Sequence, residues 1–257
     1  IRDADRTLSF LLTPGGVVTG QVRMRGSEQP MAGAFIAVKE EGGSGDLELS
    51  AGGDVITDAD GRFTLTGVSS GALTLRAFGR GFASAQPTSV QLGVAEHISE
   101  VIVYVEAAYT VSGFVVSASD KTKAISGVMT GAFNLSPGAL YAAVSPSAND
   151  GYFEILGVRP GDYMVGAIAQ DQVPSLMGVN ISVKDKDVSD VVVALESGAT
   201  LRGVVEPATT ARISIELATD NPGFADIPKF MSAALVGAQA DEEGRFTLRA
   251  VPPGSWK

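Results

Sequence analysis

The sequence predicts an all-β fold made of repeated two-sheet sandwich modules, and three observations carry this prediction. One segment recurs about every 90 residues, at 58–71, 149–161 and 241–254, and a period of this length is typical of an array of folded modules. The runs around it alternate apolar and polar residues, as half-buried strands do. Gly, Pro, Asp and Asn separate these runs, as they do in turns. Because a single sheet must cover its apolar face, many short strands favour two packed sheets.

Each copy of the segment is predicted to hold a turn and then a strand whose first inward residue is aromatic. Gly61, Gly151 and Gly244 each stand two residues before a Phe, and Gly tolerates the positive φ that a hairpin turn requires. The alternation places further apolar residues on the same face and repeats in the next strand. The residues predicted to point inward are Phe63, Leu65, Leu73, Leu75 and Ala77 in the first copy, Phe153, Ile155, Tyr163, Val165 and Ala167 in the second, and Phe246 and Leu248 in the third.

A second repeated element gives the module boundaries. A short apolar run, which we interpret as the last strand of one module, is followed by a three- or four-residue joint and then by the first strand of the next. The aligned runs are 8–12, 101–105 and 191–195, which precede Gly20, Gly113 and Gly203. The predicted domains are residues 1–12, the tail of a preceding module; 13–106, module 1; 107–196, module 2; and 197–257, a truncated module 3. We therefore expect a piece of a longer array.

Two insertions interrupt the repeat, and they are the best places for a function specific to one module. Residues 40–54 form a Gly-rich acidic loop, and residues 220–232 form a longer loop with two Phe. Long loops on a rigid sandwich often carry binding, although an unselected surface insertion is an equally good explanation. Within residues 227–240 the pattern allows either a short helix or a loop followed by a strand.

Composition excludes several classes of protein and site. The chain has no Cys, which excludes disulfides and Cys-based zinc sites. Its net charge of -10 disfavours non-specific binding to nucleic acid and to anionic membranes, because both need clustered Lys and Arg. No apolar run approaches the roughly 18–20 residues of a membrane helix. We therefore expect no nucleic-acid partner and no membrane insertion by this segment.

The residues at 57–71 and 73–75, together with 18–22 and 30–38, resemble the carboxypeptidase regulatory-like domain. The resemblance extends to module 2, except around 118–140, and to the first strand and the 241–244 block of module 3. It implies a seven-stranded, transthyretin-like (prealbumin-like) β-sandwich related to the B-type repeats of bacterial surface adhesins. In metallocarboxypeptidases this domain lies beside the catalytic domain and carries no catalytic residue, and in bacteria it recurs in exported proteins. The resemblance thus implies an extracytoplasmic protein at the cell surface, in the periplasm or secreted.

Few residues could carry chemistry, and each has a simpler explanation. Asp58 and Asp60 suggest a calcium loop, but the remaining ligands of such a loop are missing from the sequence, so a hairpin turn is favoured. His97 is the only histidine, and zinc hydrolases or Ser triads need more partners than it has. Asp241 and Glu243 could mimic a glycosidase pair, but they fall in a predicted turn. We expect no catalytic residue, no metal site, no cofactor and no enzymatic activity.

Two further sites follow from comparison with adhesin-like and glycan-binding sandwiches. Some adhesin-like relatives carry a Lys–Asn or Lys–Asp isopeptide bond, but the first strands contain no Lys, and Lys39 is expected to be solvated beside Glu40 and Glu41. Glycans can bind to exposed coplanar aromatic residues, but a core or edge role is favoured for each candidate. The aromatic residues considered for exposure are Tyr109, Tyr141, Tyr152, Phe224 and Phe230.

The short joints lead to the functional interpretation. They leave modules little freedom to rotate and predict a stiff array that gains on the order of 25–35 Å per module. We expect a non-enzymatic spacer or adhesive stalk of a larger exported bacterial protein, with a protein or glycan at the cell surface as partner. The alternative is a carbohydrate-binding or accessory module of an exported enzyme or an outer-membrane receptor.

Overall fold

Strands make up most of the computed structural model, which confirms the predicted all-β class. The structure describes residues 13–40, 48–51, 55–134, 141–169, 171–218 and 227–257. Residues 1–12, predicted to be the tail of a preceding module, lie outside them. The chain divides into two compact units, one of residues 1–44, 53–78 and 84–106, and one of residues 45–52, 79–83 and 107–257. Among the described residues, no helix is long and apolar enough to cross a membrane.

The first unit contains two rows of paired strands. In one row β1 lies between β5, to which it is antiparallel, and β9, to which it is parallel. In the other row β2 pairs with β4 and β6, and β6 also pairs with β8, all antiparallel. The strands are β1 (Gly16–Met24), β2 (Phe35–Glu40), β4 (Val55–Ile56), β5 (Arg62–Val68), β6 (Gly71–Gly79), β8 (Thr88–Leu92) and β9 (His97–Ala107). Both rows bury the apolar residues of one face, as the predicted sandwich requires.

The second unit contains a similar three-stranded row and a larger sheet. In the row, β10 lies between the antiparallel β13 and the parallel β16. The larger sheet has the order β15–β14–β11–β12–β3, and β3 is parallel to β12. These strands are β3 (Glu48–Ala51), β10 (Tyr109–Ser117), β11 (Met129–Asn134), β12 (Tyr141–Pro146), β13 (Tyr152–Val158), β14 (Gly161–Ile168), β15 (Ser175–Val183) and β16 (Val188–Leu195).

The rest of the second unit consists of two strand pairs and a helix, with β7 (Phe82–Ala83) contributed from earlier in the chain. β17 (Ala199–Val204) is antiparallel to β20 (Arg245–Val251), and β18 (Arg212–Ser214) is antiparallel to β19 (Gly237–Gln239). α1 spans Ile227–Ala234. Of the two alternatives that the sequence left open for residues 227–240, the short helix is present and the long loop is not, although a strand, β19, follows the helix.

The pairing around the equivalent glycines recurs three times. Gly20 lies opposite Phe63, Gly113 opposite Phe153 and Gly203 opposite Phe246. The close approach requires Gly, because an added Cβ would lie 2.7 Å from the ring of Phe63 and 2.5 Å from that of Phe246. At Gly113 an added Cβ would overlap the carbonyl oxygen of Val191 in the parallel strand. The sequence repeat thus reflects a repeated backbone arrangement.

The predicted turns form, but they are not hairpins. β4 pairs with β2, whereas β5 pairs with β1, so the turn at 58–61 carries the chain from one row of strands to the other. Gly61 adopts a φ of 71°, and its carbonyl accepts a hydrogen bond from the N–H of Val22 at 2.8 Å. The same contact joins Gly151 to Val115 at 2.9 Å. A local turn sequence specifies the bend but not the strands that pair on either side of it, which is why the hairpin prediction was wrong.

The predicted core residues are buried with one partial exception. Phe63 and Phe153 are 4% and 1% exposed, whereas Phe246 is half-buried against the cluster around Leu248. The remaining predicted inward residues all have exposures of 5% or less; they are Leu65, Leu73, Leu75, Ala77, Ile155, Tyr163, Val165, Ala167 and Leu248. The period-two pattern therefore identified the inward face in all three copies.

Candidate interaction surfaces

Asp58 holds the first corner turn together. One carboxylate oxygen, Oδ1, accepts hydrogen bonds from the N–H of Asp60 at 2.9 Å and of Arg62 at 2.8 Å. This is the pattern of an Asp that satisfies the free backbone donors of its own turn. Within the part of the chain that the structure describes, no group of three or more His, Asp or Glu side chains is arranged to hold a metal ion. The turn accounts for the carboxylate of Asp58, and Asp60 takes part in it through its backbone N–H.

Asp241 and Glu243 form the equivalent turn in the third copy. Oδ1 of Asp241 accepts the N–H of Arg245 at 2.7 Å, and its Oδ2 accepts Nε of the same residue at 3.0 Å. Glu243 Oε2 accepts Nη2 of Arg245 at 2.9 Å. Desolvation raises the pKa of Asp241, but hydrogen bonds and the charge of Arg245 outweigh it, so the pKa lies below its ordinary value. These carboxylates are thus tied to one guanidinium rather than separated across a cleft.

The other predicted single residues lie on the surface. His97 is exposed at the start of β9, as expected for the end of a loop. Lys39 is exposed in β2, opposite Thr74 of β6. Both positions agree with the surface locations expected from the sequence.

The two insertions differ in what the structure describes. Residues 48–51 of the first insertion form β3, which adds a parallel strand to β12. In the second, residues 220–226, including Phe224, lie outside the described residues, and residues 227–232 belong to α1. α1 packs against β15, and the buried Ser232 donates a hydrogen bond to the carbonyl of Pro174 at 2.6 Å. The described part of the second insertion therefore packs against the sheet of its own unit.

A groove of about 990 Å³ is lined by residues of β11, β14, β19 and β20 and by the segment between α1 and β19, and we call it the β19–β20 groove. Exposed apolar side chains line it, with Met129 44%, Ile168 37% and Leu235 47% exposed. At one side Arg249 Nη1 forms an ion pair with Asp171 Oδ1 at 3.0 Å. The groove therefore combines exposed apolar side chains with charged side chains that form ion pairs.

A second apolar surface lies on the outer face of the β13–β10–β16 row. Phe114 of β10 lies opposite Tyr152 of β13 on one side and opposite Val192 of β16 on the other. All three side chains are exposed, by 42%, 36% and 47%. The two rings meet edge-on, with centroids 5.5 Å apart and planes at 65°, which is a favoured aromatic geometry. We call Phe114, Tyr152 and Val192 the aromatic row.

A polar row lies next to the aromatic row, two residues along the strands. Ser112 of β10 lies opposite Glu154 of β13. Glu154 Oε2 accepts a hydrogen bond from Nη2 of Arg80 at 2.6 Å. The hydrogen bond and the charge of Glu154 raise the pKa of Arg80 above its ordinary value. We call Ser112, Glu154 and Arg80 the polar row.

Only part of the aromatic row was identified from sequence. Tyr152 is exposed as considered, Phe230 is 39% exposed in α1, and Tyr109 is half-buried against the core of the second unit. The side chain of Tyr141 and the whole of Phe224 lie outside what the structure describes. Phe114 was missed, although the alternation of β10 carried the signal, because Val111, Gly113 and Val115 point inward and leave Phe114 on the opposite face.

One family model matches part of the chain. Residues 17–104 match the family model of the carboxypeptidase regulatory-like domain. These residues include all or most of each strand in the two rows of the first unit. The match supports the resemblance for module 1. No curated protein matches this sequence.

Several solved structures share a distant likeness with the chain. The Bacillus anthracis TIE protein has 12% identity and a TM-score of 0.31, over 94% of this chain and 44% of that protein. A streptococcal ancillary pilin has 16% identity and a TM-score of 0.30, over 71% and 62%. The shaft pilin SpaA from Lactobacillus rhamnosus GG has 13% identity and a TM-score of 0.29, over 72% and 98%. The chain thus spans less than two thirds of the length of the first two.

Proposed function

We propose that this chain is a non-enzymatic structural and interaction segment, a spacer or adhesive stalk, of a larger exported bacterial protein. The observation that carries the proposal is the recurrence of one strand arrangement at successive positions in the chain. β10, like β1, lies between one antiparallel and one parallel strand, and β17 has an antiparallel partner at the equivalent position. The proposed modules are residues 13–106, 107–196 and 197–257.

Short connections between successive copies support a spacer. β9 ends at Ala107 and β10 begins at Tyr109, so a single residue joins them. β16 ends at Leu195 and β17 begins at Ala199. A connection of one to three residues leaves little slack, unlike a flexible Gly/Ser linker.

Contacts around the second connection support limited freedom there. The N–H of Val173 donates to the carbonyl of Glu196 at 2.8 Å, which ties the start of the connection to the loop before β15. The Ser232–Pro174 hydrogen bond and the Arg249–Asp171 ion pair reach the same loop before β15. An exposed ion pair contributes little to stability on its own, so the hydrogen bond of the buried Ser232 hydroxyl is the stronger of the two contacts.

The roles found for the acidic residues support a non-enzymatic function. Oδ1 of Asp58 and both carboxylate oxygens of Asp241 accept hydrogen bonds from backbone N–H groups or from the Arg245 side chain, whereas a catalytic acid or base must face substrate. We place the segment outside the cytoplasm, with a protein or glycan at the cell surface as partner, on the strength of the family match to residues 17–104.

Small-angle X-ray scattering of the full chain tests the proposal. A compact globule of this length has a radius of gyration of about 18 Å, whereas an array adding on the order of 25–35 Å per module would give roughly 25 Å. A four-residue Gly/Ser insertion after Ala108 should broaden the distance distribution. The matched control is the same insertion between Val94 and Ala95, in the exposed turn before β9. A radius near 18 Å, or equal effects of the two insertions, would contradict the proposal.

A further inference from the structure

We propose that the aromatic row and the polar row together bind a neutral oligosaccharide. The site lies on the outer face of the β13–β10–β16 row; the inference rests on the proposed interaction function, which allows a glycan as partner, and adds the binding surface and the charge of that ligand. Its parts are described above: three exposed apolar side chains in one line across three strands, and a line of hydrogen-bonding side chains beside them.

The size of the apolar surface fits a sugar better than a protein partner. Three neighbouring strands place the ends of the aromatic row about 10 Å apart, the length of one to two pyranose rings. A stable protein interface buries roughly 800 Å² on each partner. Three side chains that are between a third and a half exposed offer far less apolar surface than that.

The division of the surface into two rows matches the chemistry of a pyranose. One face of the sugar ring carries C–H groups, which are attracted to the electron-rich face of an aromatic ring. Because the planes of Phe114 and Tyr152 differ by 65° and are not coplanar, one of the two rings stacks on the sugar and the other contacts its edge. The hydroxyl groups at the rim need donors and acceptors, and the polar row lies about 7 Å away along the strands. Ser112, Glu154 and Arg80 supply both kinds of group. Few polar groups beside an apolar surface are what fixes the orientation of a small ligand.

The charge of the site selects a neutral ligand. Glu154 and Arg80 are paired at 2.6 Å and cancel each other, while the whole chain carries a net charge of -10. An anionic polysaccharide would be repelled by the chain and would find no unpaired cation in the polar row. A neutral sugar can hydrogen-bond to both members of the pair without separating them.

The fold itself does not require the aromatic row. The residues at the equivalent positions of the first unit are Gln21, Arg62 and Ile102, which pair in the same register. A Gln and an Arg there are compatible with the same strand pairing. The aromatic pair is therefore not needed for the core or for the strand register, and ligand binding explains its exposure.

Nuclear magnetic resonance titration of the full chain tests the site. The probes are cellohexaose, maltohexaose, xylohexaose and chitohexaose, each at up to about 5 mM, a range that detects dissociation constants near 1 mM. We expect at least one probe to shift the backbone amide signals of Phe114, Tyr152 and Val192 selectively. Mapping on the unaltered chain requires no variant to fold.

Variants then identify the contributing side chains. Phe114→Thr and Tyr152→Thr keep a residue suited to strands and should each weaken binding at least about tenfold. Val204→Thr, at a strand position that is 58% exposed in β17, is the matched control and should leave the affinity unchanged. Phe114→Thr should leave the radius of gyration of the chain unchanged. A failure of this binding site can then be told apart from a failure of the spacer proposal, which the radius of gyration tests.

Two results would overturn the proposal. One is that none of the four probes shifts the signals of the aromatic row. The other is concentration-dependent self-association in analytical ultracentrifugation that Phe114→Thr abolishes, because the row would then bind a second copy of the chain.

Discussion

The β5–β1–β9 row of the first unit and the β13–β10–β16 row of the second share a backbone arrangement but differ on their outer faces. Their inward positions carry similar apolar residues, all at most 5% exposed. These pairs are Val18 and Val111, Val22 and Val115, Phe63 and Phe153, and Val103 and Val193. The outward positions differ in kind, with Gln21, Arg62 and Ile102 in one row and Phe114, Tyr152 and Val192 in the other. The core fixes one face of each row and leaves the other free to acquire a partner.

The third copy shows which parts of the arrangement tolerate change. Phe246 is half-buried where Phe63 and Phe153 are buried. Ala250 has a φ of 58°, close to the values of 69° and 68° at the equivalent residues Gly67 and Gly157. The backbone conformation is thus kept even where the residue type suits it poorly.

The largest expected effect concerns the inward aromatic residue. Phe153→Ala should lower the free energy of unfolding of the second unit by about 3–5 kcal/mol, because it leaves a cavity at a position that is 1% exposed. Phe246→Ala, in the same unit, should cost markedly less because solvent already reaches that ring. Urea denaturation of both variants measures the difference, and equal losses would show that the third copy is packed as tightly as the second.

The second effect concerns the glycine at the crossing of the strands. Gly113→Ala should cost about 2–3 kcal/mol, because the new methyl group would overlap the carbonyl of Val191 and force the parallel strands apart. Gly237→Ala is the control, since the nearest atom to its Cβ would lie at an ordinary 3.4 Å. If the two substitutions have the same effect on the denaturation midpoint, the close approach of the strands at Gly113 is not what makes its substitution costly.

A smaller effect isolates backbone strain. An added Cβ at Gly67 would have no atom within 4 Å, so Gly67→Ala should cost about 1–2 kcal/mol through its left-handed conformation alone. Ala250→Gly should do the reverse and stabilise the chain by up to about 1 kcal/mol, since relief of strain exceeds the added entropy of the unfolded chain. Thermal unfolding measures both, and destabilisation by Ala250→Gly would mean that the buried methyl group outweighs the strain.

The smallest effect concerns charge at the third corner turn. The folded-state pKa of Asp241 is lowered, so its ionised form adds stability above the ordinary pKa of about 4 and loses it as pH falls through the folded value. Asp241→Asn should therefore destabilise the chain at neutral pH, and the difference should shrink in acid. Unfolding curves from pH 7 to pH 2, analysed at about unit intervals, test this sign. A difference independent of pH would assign the role of Asp241 to hydrogen bonding alone.

Sequence reasoning worked where the pattern is local. Alternation at 73–77 and 163–167 identified buried faces, and Gly61 and Gly151 identified turns with positive φ. It failed where the answer depended on which strands meet. The turn at 58–61 was assigned to a hairpin, although its flanking strands pair with β2 and β1.

By itself, the sequence determined the all-β class, the repeat and the inward residues, because side chains alternate across a strand whatever its partner. The tertiary structure alone decided that Phe114, Tyr152 and Val192 lie side by side, because three distant segments must first pair in register. It also decided that α1 attaches to β15, because that contact joins residues far apart in the chain. Strand pairing joins residues that are far apart in the chain, so short-range sequence patterns do not predict it.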